Sequence, residues 1–472
     1  MMSADRSPEG KRRRATGVPR SPLQIARWAL DRGRRLEADL EVYVQRGRTV
    51  EVKTFQGEVE AATVAEPSGL GVRAVRGGRV GYAFTADLST AGVDRTLAEA
   101  VANLEAADAD PFMRLPEPSS ERYPVPAGLW RPGVAGMSLE GKMRLALEAE
   151  AAALASPDIE SVETSVYSDE EAGTAVASTS GVEAEAESSF CVGYVVALAG
   201  REDEKQSGLG FCAGRDPGDL DPEAAGREAA ERARALLGAR PCRTGSYTVV
   251  FDREIAAALV TSIVQALSAD SVQKGRSVFA GRLGETVGST LLTLLDDGLA
   301  AGGMATSPFD GEGVPQRTTP LVEAGVLLSY LHNSYTAAKA GDGTLSTGNG
   351  MRGSYRSLPG VGATNLVVRP GEGALADLVA RVGEGLYVQD AAGLHSGVNP
   401  ISGEISVGVT GRLIQGGGLG DPVREVTIAC DFLKLLGGVC DLGGDARWIP
   451  LHGSVQAPSI AVRDIAVSGS VS

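Results

Sequence analysis

The sequence predicts an α+β protein, with a duplicated sheet-plus-helix N-terminal region followed by a β-rich C-terminal domain. Three observations point there. With 62 glycines in 472 residues and only 5% aromatics, the chain favours tight turns and small side chains, a β-rich signature. Between residues 21 and 240, strand-like segments closed by a small-residue helix occur twice. Around "ARPCRTGSY", residues 239–247, the texture changes to short β segments separated by glycine turns. The expected division is a disordered basic tail (1–20), the duplicated domain (21–240) and the C-terminal domain (245–472).

Ser21-Pro22 opens a helix that runs to about Leu36, with serine as cap and proline at the first helical position. Strands follow in "LEVYVQR", "TVEVKTFQGEVEAATVAE" and "GLGVRAVRGGRVGYAFT". The last holds "GLGVRA", a partial dinucleotide fingerprint. It leads into alternating Val72 and Ala74 and a Gly77-Gly78 hairpin, where a nucleotide site needs a helix. The helix "GVDRTLAEAVANLEAA" closes the first unit. After a proline-rich connection (Pro111 to Pro132), the helix "SLEGKMRLALEAEAAALA" precedes long strand-like stretches and the alanine-rich "DPEAAGREAAERARALLGA". Gly81-Tyr82-Ala83-Phe84 and Gly208-Leu209-Gly210-Phe211 stand in corresponding places, each ahead of such a helix. Two units of this kind pack as a sheet with helices on one face.

One good helix interrupts the C-terminal β region, "FDREIAAALVTSIVQALSA", spanning about 252–269. Ile255, Leu259, Ile263 and Leu267 recur every four residues, and Val260 and Val264 widen the stripe, so it is largely buried. Asp252 is its expected N-cap.

Charge and cysteine usage exclude several classes. Residues 1–20 carry six basic side chains against Asp5 and Glu9, a net +4, so the remainder carries −19. An acidic body repels phosphate backbones and argues against direct nucleic-acid binding. The basic tail is not followed by an apolar signal region, and no run of about 18 apolar residues exists to span a membrane. Five scattered cysteines (191, 212, 242, 430, 440) without a C-x-x-C fit reduced thiols in the cytoplasm.

Histidine supply limits the chemistry most. His332, His395 and His452 lie far apart, and no helical histidine pair can be written. "SVQK", residues 271–274, matches S-x-x-K without its companion elements and reads as a helix-end turn. Asp296-Asp297 and Asp310 with Glu312 abut glycines, where acidic residues form turns. Cys440 has no neighbouring base and reads as an inert thiol. "STGNGMRGSYRSLPG", residues 346–360, resembles a phosphate cradle in composition. It lacks the Lys-Ser/Thr pair and the following helix, and Pro359 and Pro370 forbid that helix. A glycine-rich backbone facing another chain is the better reading.

The stretches "FDREIAAALV", "SPFDGEGVPQRTTPLVEAGVLLSYLHNSYTAAKAG", "STGNGMR", "LHSGVNPISGEISVGVTGRLIQGG" and "APSIAVRDIAVSG", in this order, resemble the TldD/PmbA family, also called modulators of DNA gyrase. The similarity runs from about Pro22 to the C-terminus. It implies a metallopeptidase built from two related subunits. The TldD-type subunit binds zinc through an H-E-x-x-x-H helix and a later cysteine, whereas the TldE/PmbA-type subunit lacks them and completes a peptide-holding chamber. By this resemblance the zinc motif falls on Thr261, Ser262, Ile263, Val264, Gln265 and Ala266, with Cys440 displaced by a residue or two from the ligand cysteine. None of the six replaces an imidazole, so the chain is similar to the TldE/PmbA type.

The resemblance therefore implies no catalytic residue, metal ligand or cofactor in this chain, with zinc in a TldD-like partner subunit and an extended peptide as substrate. It sets "STGNG" beside the peptide channel. There Thr347, Gly348, Asn349 and Arg352 would orient the peptide or touch the partner, or else form a structural turn. Alone, the chain is a candidate homodimer. The alternative is a non-proteolytic regulatory or protein-binding module.

Overall fold

The computed structural model describes residues 21–200 and 204–469; the basic segment 1–20 lies outside the described residues. Helix α1 (Pro22–Gly33) starts as the sequence dictates. Ser21 Oγ accepts the Gln24 N–H, and Gln24 Oε1 accepts the Ser21 N–H at 3.0 Å. It stops at Gly33, short of Leu36, where the chain turns so tightly that a Cβ would sit 2.5 Å from Leu40 Cδ1. The next two expected strands are largely one. β1 (Asp39–Phe55) runs 17 residues and turns through Gln56 and Gly57, both at positive φ (55° and 78°), into β2 (Glu58–Ala65). β3 (Ser68–Arg76), the Gly77-Gly78 turn, β4 (Arg79–Thr85) and α2 (Thr90–Ala102) complete the unit. The second unit comprises α3 (Leu139–Leu154), β5 (Ile159–Ser178), β6 (Glu183–Ala199), β7 (Gln206–Gly214) and α4 (Pro222–Arg234).

The two units form one antiparallel sheet in the order β4-β3-β1-β5-β6-β7, with β2 pairing Thr49–Phe55 of β1 beyond the stretch that pairs with β3. They meet at their first strands and end at opposite edges, the arrangement a duplication produces. Leu40, Val42 and Val44 of β1 pack with α1 and α2, and Val50 and Val52 pack beneath α3, so the helices share one face. Tyr43 points the other way, into a cluster with Val176, Phe309 and Tyr355. Around Tyr43 that second face is covered by the C-terminal domain, while Glu51, Phe55 and β2 stay exposed.

The corresponding glycines do the same task in both units. A Cβ would lie 2.0 Å from Ala100 O at Gly81, 2.2 Å from Ala229 O at Gly208 and 2.0 Å from Ala225 O at Gly210. Helix backbone rests directly on strand backbone, which only glycine permits. Gly210→Val is expected to lower stability to urea by ~1–3 kcal/mol or more through overpacking. Ser207→Val on the exposed flank should stay within about 0.5 kcal/mol.

Two six-stranded sheets build the C-terminal domain. In the first, β8 (Gly245–Phe251), β15 (Gly385–Ala392), β16 (Glu404–Gln415), β17 (Gly418–Asp431) and β21 (Ile460–Ser468) close into a ring, because β17 pairs with both β16 and β21. β18 (Val439–Leu442) adds to β21. The second sheet runs β11 (Val326–Leu327), β10 (Thr318–Glu323), β9 (Leu294–Asp297), β14 (Asn365–Val368), β20 (Ser454–Ala457) and β19 (Arg447–Ile449). A short hairpin pairs β12 (Gly350–Met351) with β13 (Gly360–Val361). Helix α5 (Arg253–Ala266) contacts strands of both large sheets, and ten of its 14 residues are buried. Asp252 caps it as expected, accepting the Glu254 N–H at 3.0 Å. It ends at Ala266, before the expected 269, because Ser268 leaves the helix to bridge Leu331.

Candidate functional site

The stretch that resembled a phosphate cradle lies where the two domains meet. Thr347 Oγ1 donates to Asn349 Oδ1 at 2.6 Å and accepts the His332 N–H at 2.8 Å. Gly348 adopts φ +81° beside Pro315 and Gln316. Asn349 is 0% exposed, and its Nδ2 donates to Asp296 Oδ2 (2.6 Å) and Gly362 O (2.9 Å). Arg352 lies over the Tyr43 ring at 4.9 Å, donates to Gly311 O (2.6 Å) and Ser357 O (2.9 Å), and pairs with Glu41. The side chains of Thr347, Asn349 and Arg352 are thus engaged within the chain.

Around Arg352 lies a buried ionic cluster spanning the domain junction. Arg73 pairs with Glu41 at 2.5 Å and Glu312 at 2.9 Å, and every side chain of this set is at most 4% exposed. Glu312 Oε2 also accepts the Ser334 N–H at 2.8 Å. Burial by itself would lower the Arg73 pKa, but the two carboxylates outweigh it and raise it. Asp310 accepts the N–H groups of Glu312, Val314 and Gly350 at 2.8–2.9 Å, the turn role its glycine neighbour indicated. Burial and the nearby Glu312 charge nevertheless push its pKa upward.

The glycines of "GLGVRA" now have a physical purpose. A Cβ at Gly69 would fall 2.3 Å from the Tyr355 ring, and one at Gly71 would fall 2.0 Å from Tyr82 Oη. Tyr82 in turn donates to Tyr355 O at 2.7 Å. These glycines open a seat on β3 for the 346–360 loop. Glu41 and Arg73, which sequence reasoning did not single out, complete the junction together with Asp296, whose carboxylate accepts from Asn349 and the Thr364 N–H.

Asp296 is 1% exposed, and burial raises its pKa to about 6, against the opposing Asn349 and Thr364 hydrogen bonds. The sign follows from proton counting. Between its ordinary value of 3.8 and about 6, the folded chain holds a proton that the unfolded chain has released. The stability gained from the protonated form is full below 3.8 and lost as pH rises through about 6. Asp296→Asn should therefore gain on the wild type by about 3 kcal/mol between pH 3.5 and pH 7, read from urea unfolding at both pH values.

On α5, Thr261 Oγ1 donates to Ala257 O and His452 O, both at 2.9 Å, and Ser262 Oγ donates to Ala258 O at 3.0 Å. Ile263, Val264 and Ala266 are core residues, and Gln265 is exposed. Cys440 lies across the ring sheet from this helix. α5 packs with Val249 and Phe251 on one face, whereas Cys440 packs against the cluster that holds Val250, Leu378 and Ala461 on the other. Its Sγ lies 3.5 Å from Ala461 O, and burial pushes its pKa up, keeping the thiol protonated. Among the described residues, no group of three or more His, Cys, Asp or Glu side chains could hold a metal ion. Two hydroxyls bonded to their own helix, an amide and a thiol on the far face do not fit zinc.

A duplicated helix-covered sheet locked onto a ring sheet with a buried helix defines a three-part α+β chain, with the 346–360 loop and its ionic cluster at the domain junction. Family profiles match all three parts in order. They are PmbA/TldA metallopeptidase domain 1 over residues 40–104, the central domain over 132–237 and the C-terminal domain over 244–469. The chain belongs to the PmbA/TldD family.

Metalloprotease PmbA of Escherichia coli O157:H7 is 27% identical over 437 residues, 91% of this chain and 92% of that protein. A metalloprotease of Methanocaldococcus jannaschii is 33% identical over 210 residues, 44% of this chain and 46% of that protein. A Thermotoga maritima crystal structure described as a candidate modulator of a DNA gyrase superposes with a TM-score of 0.86 at 27% identity, covering 94% of this chain and 99% of that one. TldE from Thermococcus kodakarensis gives a TM-score of 0.85 at 21% identity, covering 94% and 99%, a likeness of fold.

Proposed function

We propose that this chain is the TldE/PmbA-type subunit of a two-subunit metallopeptidase acting on unfolded or extended peptides. The observation that carries the reading is the chemistry of α5, where by the resemblance Thr261 and Ala266 stand in place of the two imidazoles and Ser262 in place of the glutamate. A TldD-like partner then supplies the metal, the general base and bond cleavage. This chain supplies chamber wall, peptide register and interface, and the firmly held 346–360 loop contributes its main chain, with Thr347, Gly348, Asn349 and Arg352 fixing its shape. The five cysteines carry no disulfide, which suits a reducing cytoplasm. Among the described residues, no helix is long and apolar enough to cross a membrane.

The test is metal analysis and peptide cleavage for the chain alone, for a TldD-like partner alone and for the mixture. Cleavage is expected from the mixture and should be abolished by a chelator. Chelator-resistant cleavage by this chain alone, or stoichiometric zinc bound to it, would sink the reading. No cleavage in any combination would favour a non-proteolytic regulatory module, the role that the description of the Thermotoga structure raises. Size measurement in the same series tells whether the chain alone is a homodimer.

A further inference from the structure

The outermost strands of two different sheets face one groove of about 620 Å³. β7 ends the N-terminal sheet and contributes Phe211 to Gly214; β19 ends the second C-terminal sheet and contributes Arg447 and Trp448. Among the described residues each pairs with a single neighbouring strand, which leaves its other main-chain edge open there. Arg447 lines the groove beside Phe211. Its guanidinium lies 3.9 Å from the Phe211 ring centroid, pairs with Glu228 at 2.8 Å and donates to Phe211 O. Phe211 O therefore points away from β6. By the alternation of an antiparallel ladder, so do the N–H and C=O of Ala213, two residues on.

Three arginines line this groove and only one lacks a counter-charge. Arg131 is held by Asp219 at 2.7 Å, and Arg447 by Glu228. Arg215 has no carboxylate within 4.0 Å among the described residues. It donates only to carbonyls, Ser189 O and Met304 O at 3.2 Å and Gly303 O. Its Nε–H and one Nη1–H are left over. It is half-buried, and burial lowers its pKa, the mark of a cation without an anion. Phe190 and Trp448 add aromatic lining to the same groove.

We infer that this groove binds the C-terminal end of an extended peptide. The peptide main chain adds to the β7 edge at Ala213, its terminal carboxylate pairs with Arg215, and its last, apolar side chain lies against Phe190 and Trp448. The inference rests on the peptide-handling reading above, but it is tested by binding and not by cleavage. A decapeptide ending in leucine, dye-labelled at its N-terminus, is titrated with the full chain as free acid and as C-terminal amide, reading anisotropy. The acid should bind about tenfold more tightly than the amide, the worth of a charge-assisted pair. In Arg215→Gln the acid should weaken to the level of the amide while the amide stays unchanged. Equal binding of acid and amide by the wild type would overturn the site without reference to any variant. So would displacement of the acid by inorganic phosphate at equal concentration. Neither result bears on cleavage by the two-subunit mixture, so the two readings fail separately.

Discussion

Arg73→Met is expected to cost about 3–5 kcal/mol in urea unfolding, because it strands two buried carboxylates without their shared cation. Arg73 sits opposite Glu41 in the β1–β3 ladder and reaches Glu312 of the C-terminal domain. Removing it leaves both carboxylates at 1% exposure, and Glu41 then keeps only Arg352. Methionine restores the volume but not the charge, so what is lost is compensation of buried ions and not packing. Adding Glu312→Gln to Arg73→Met should recover part of the loss, because one of the orphaned charges is then neutral. A loss under about 1 kcal/mol would show that water reaches the cluster and screens it.

Asn349→Asp is expected to fold at pH 5 and to fail or unfold readily at pH 8. The replaced amide lies 2.6 Å from Asp296 Oδ2, with Asn349 itself 0% exposed. Two carboxyls at that distance share one proton, and the second ionisation is resisted by both burial and like charge. Asn349→Ala removes the donor without adding charge and should cost about 2–4 kcal/mol at either pH, since Asp296 and Gly362 O lose their partner. The contrast between the variants, read as urea midpoints at both pH values, separates charge repulsion from a lost hydrogen bond. In the assembled pair, alanine at Asn349 or Arg352 should also lower peptide affinity if the loop's shape sets the peptide register. Unchanged affinity would leave the loop a structural turn only.

Much of the framework was legible because it depends on neighbours in sequence. Ser21 and Asp252 cap their helices through residues two and three positions away. Gly77-Gly78 turns a hairpin between adjacent strands. The continuity of β1 through Gly47 was not legible, because its long pairing with β5 supplies the support that a local reading of "QRGRT" lacks.

What the sequence by itself determined was the α+β class, the duplication, the buried helix after Phe251 and its want of imidazoles, all set by short-range periodicity and residue type. Only the tertiary structure decided that the second face of the N-terminal sheet is buried around Glu41, Tyr43 and Arg73. Alternation says that Glu41 and Arg73 share a face, but not that Glu312 and Arg352, 239 and 311 residues away from their partners, come to cover it. It also decided that Cys440 points away from α5, because one residue of strand register reverses which side of a sheet a thiol occupies.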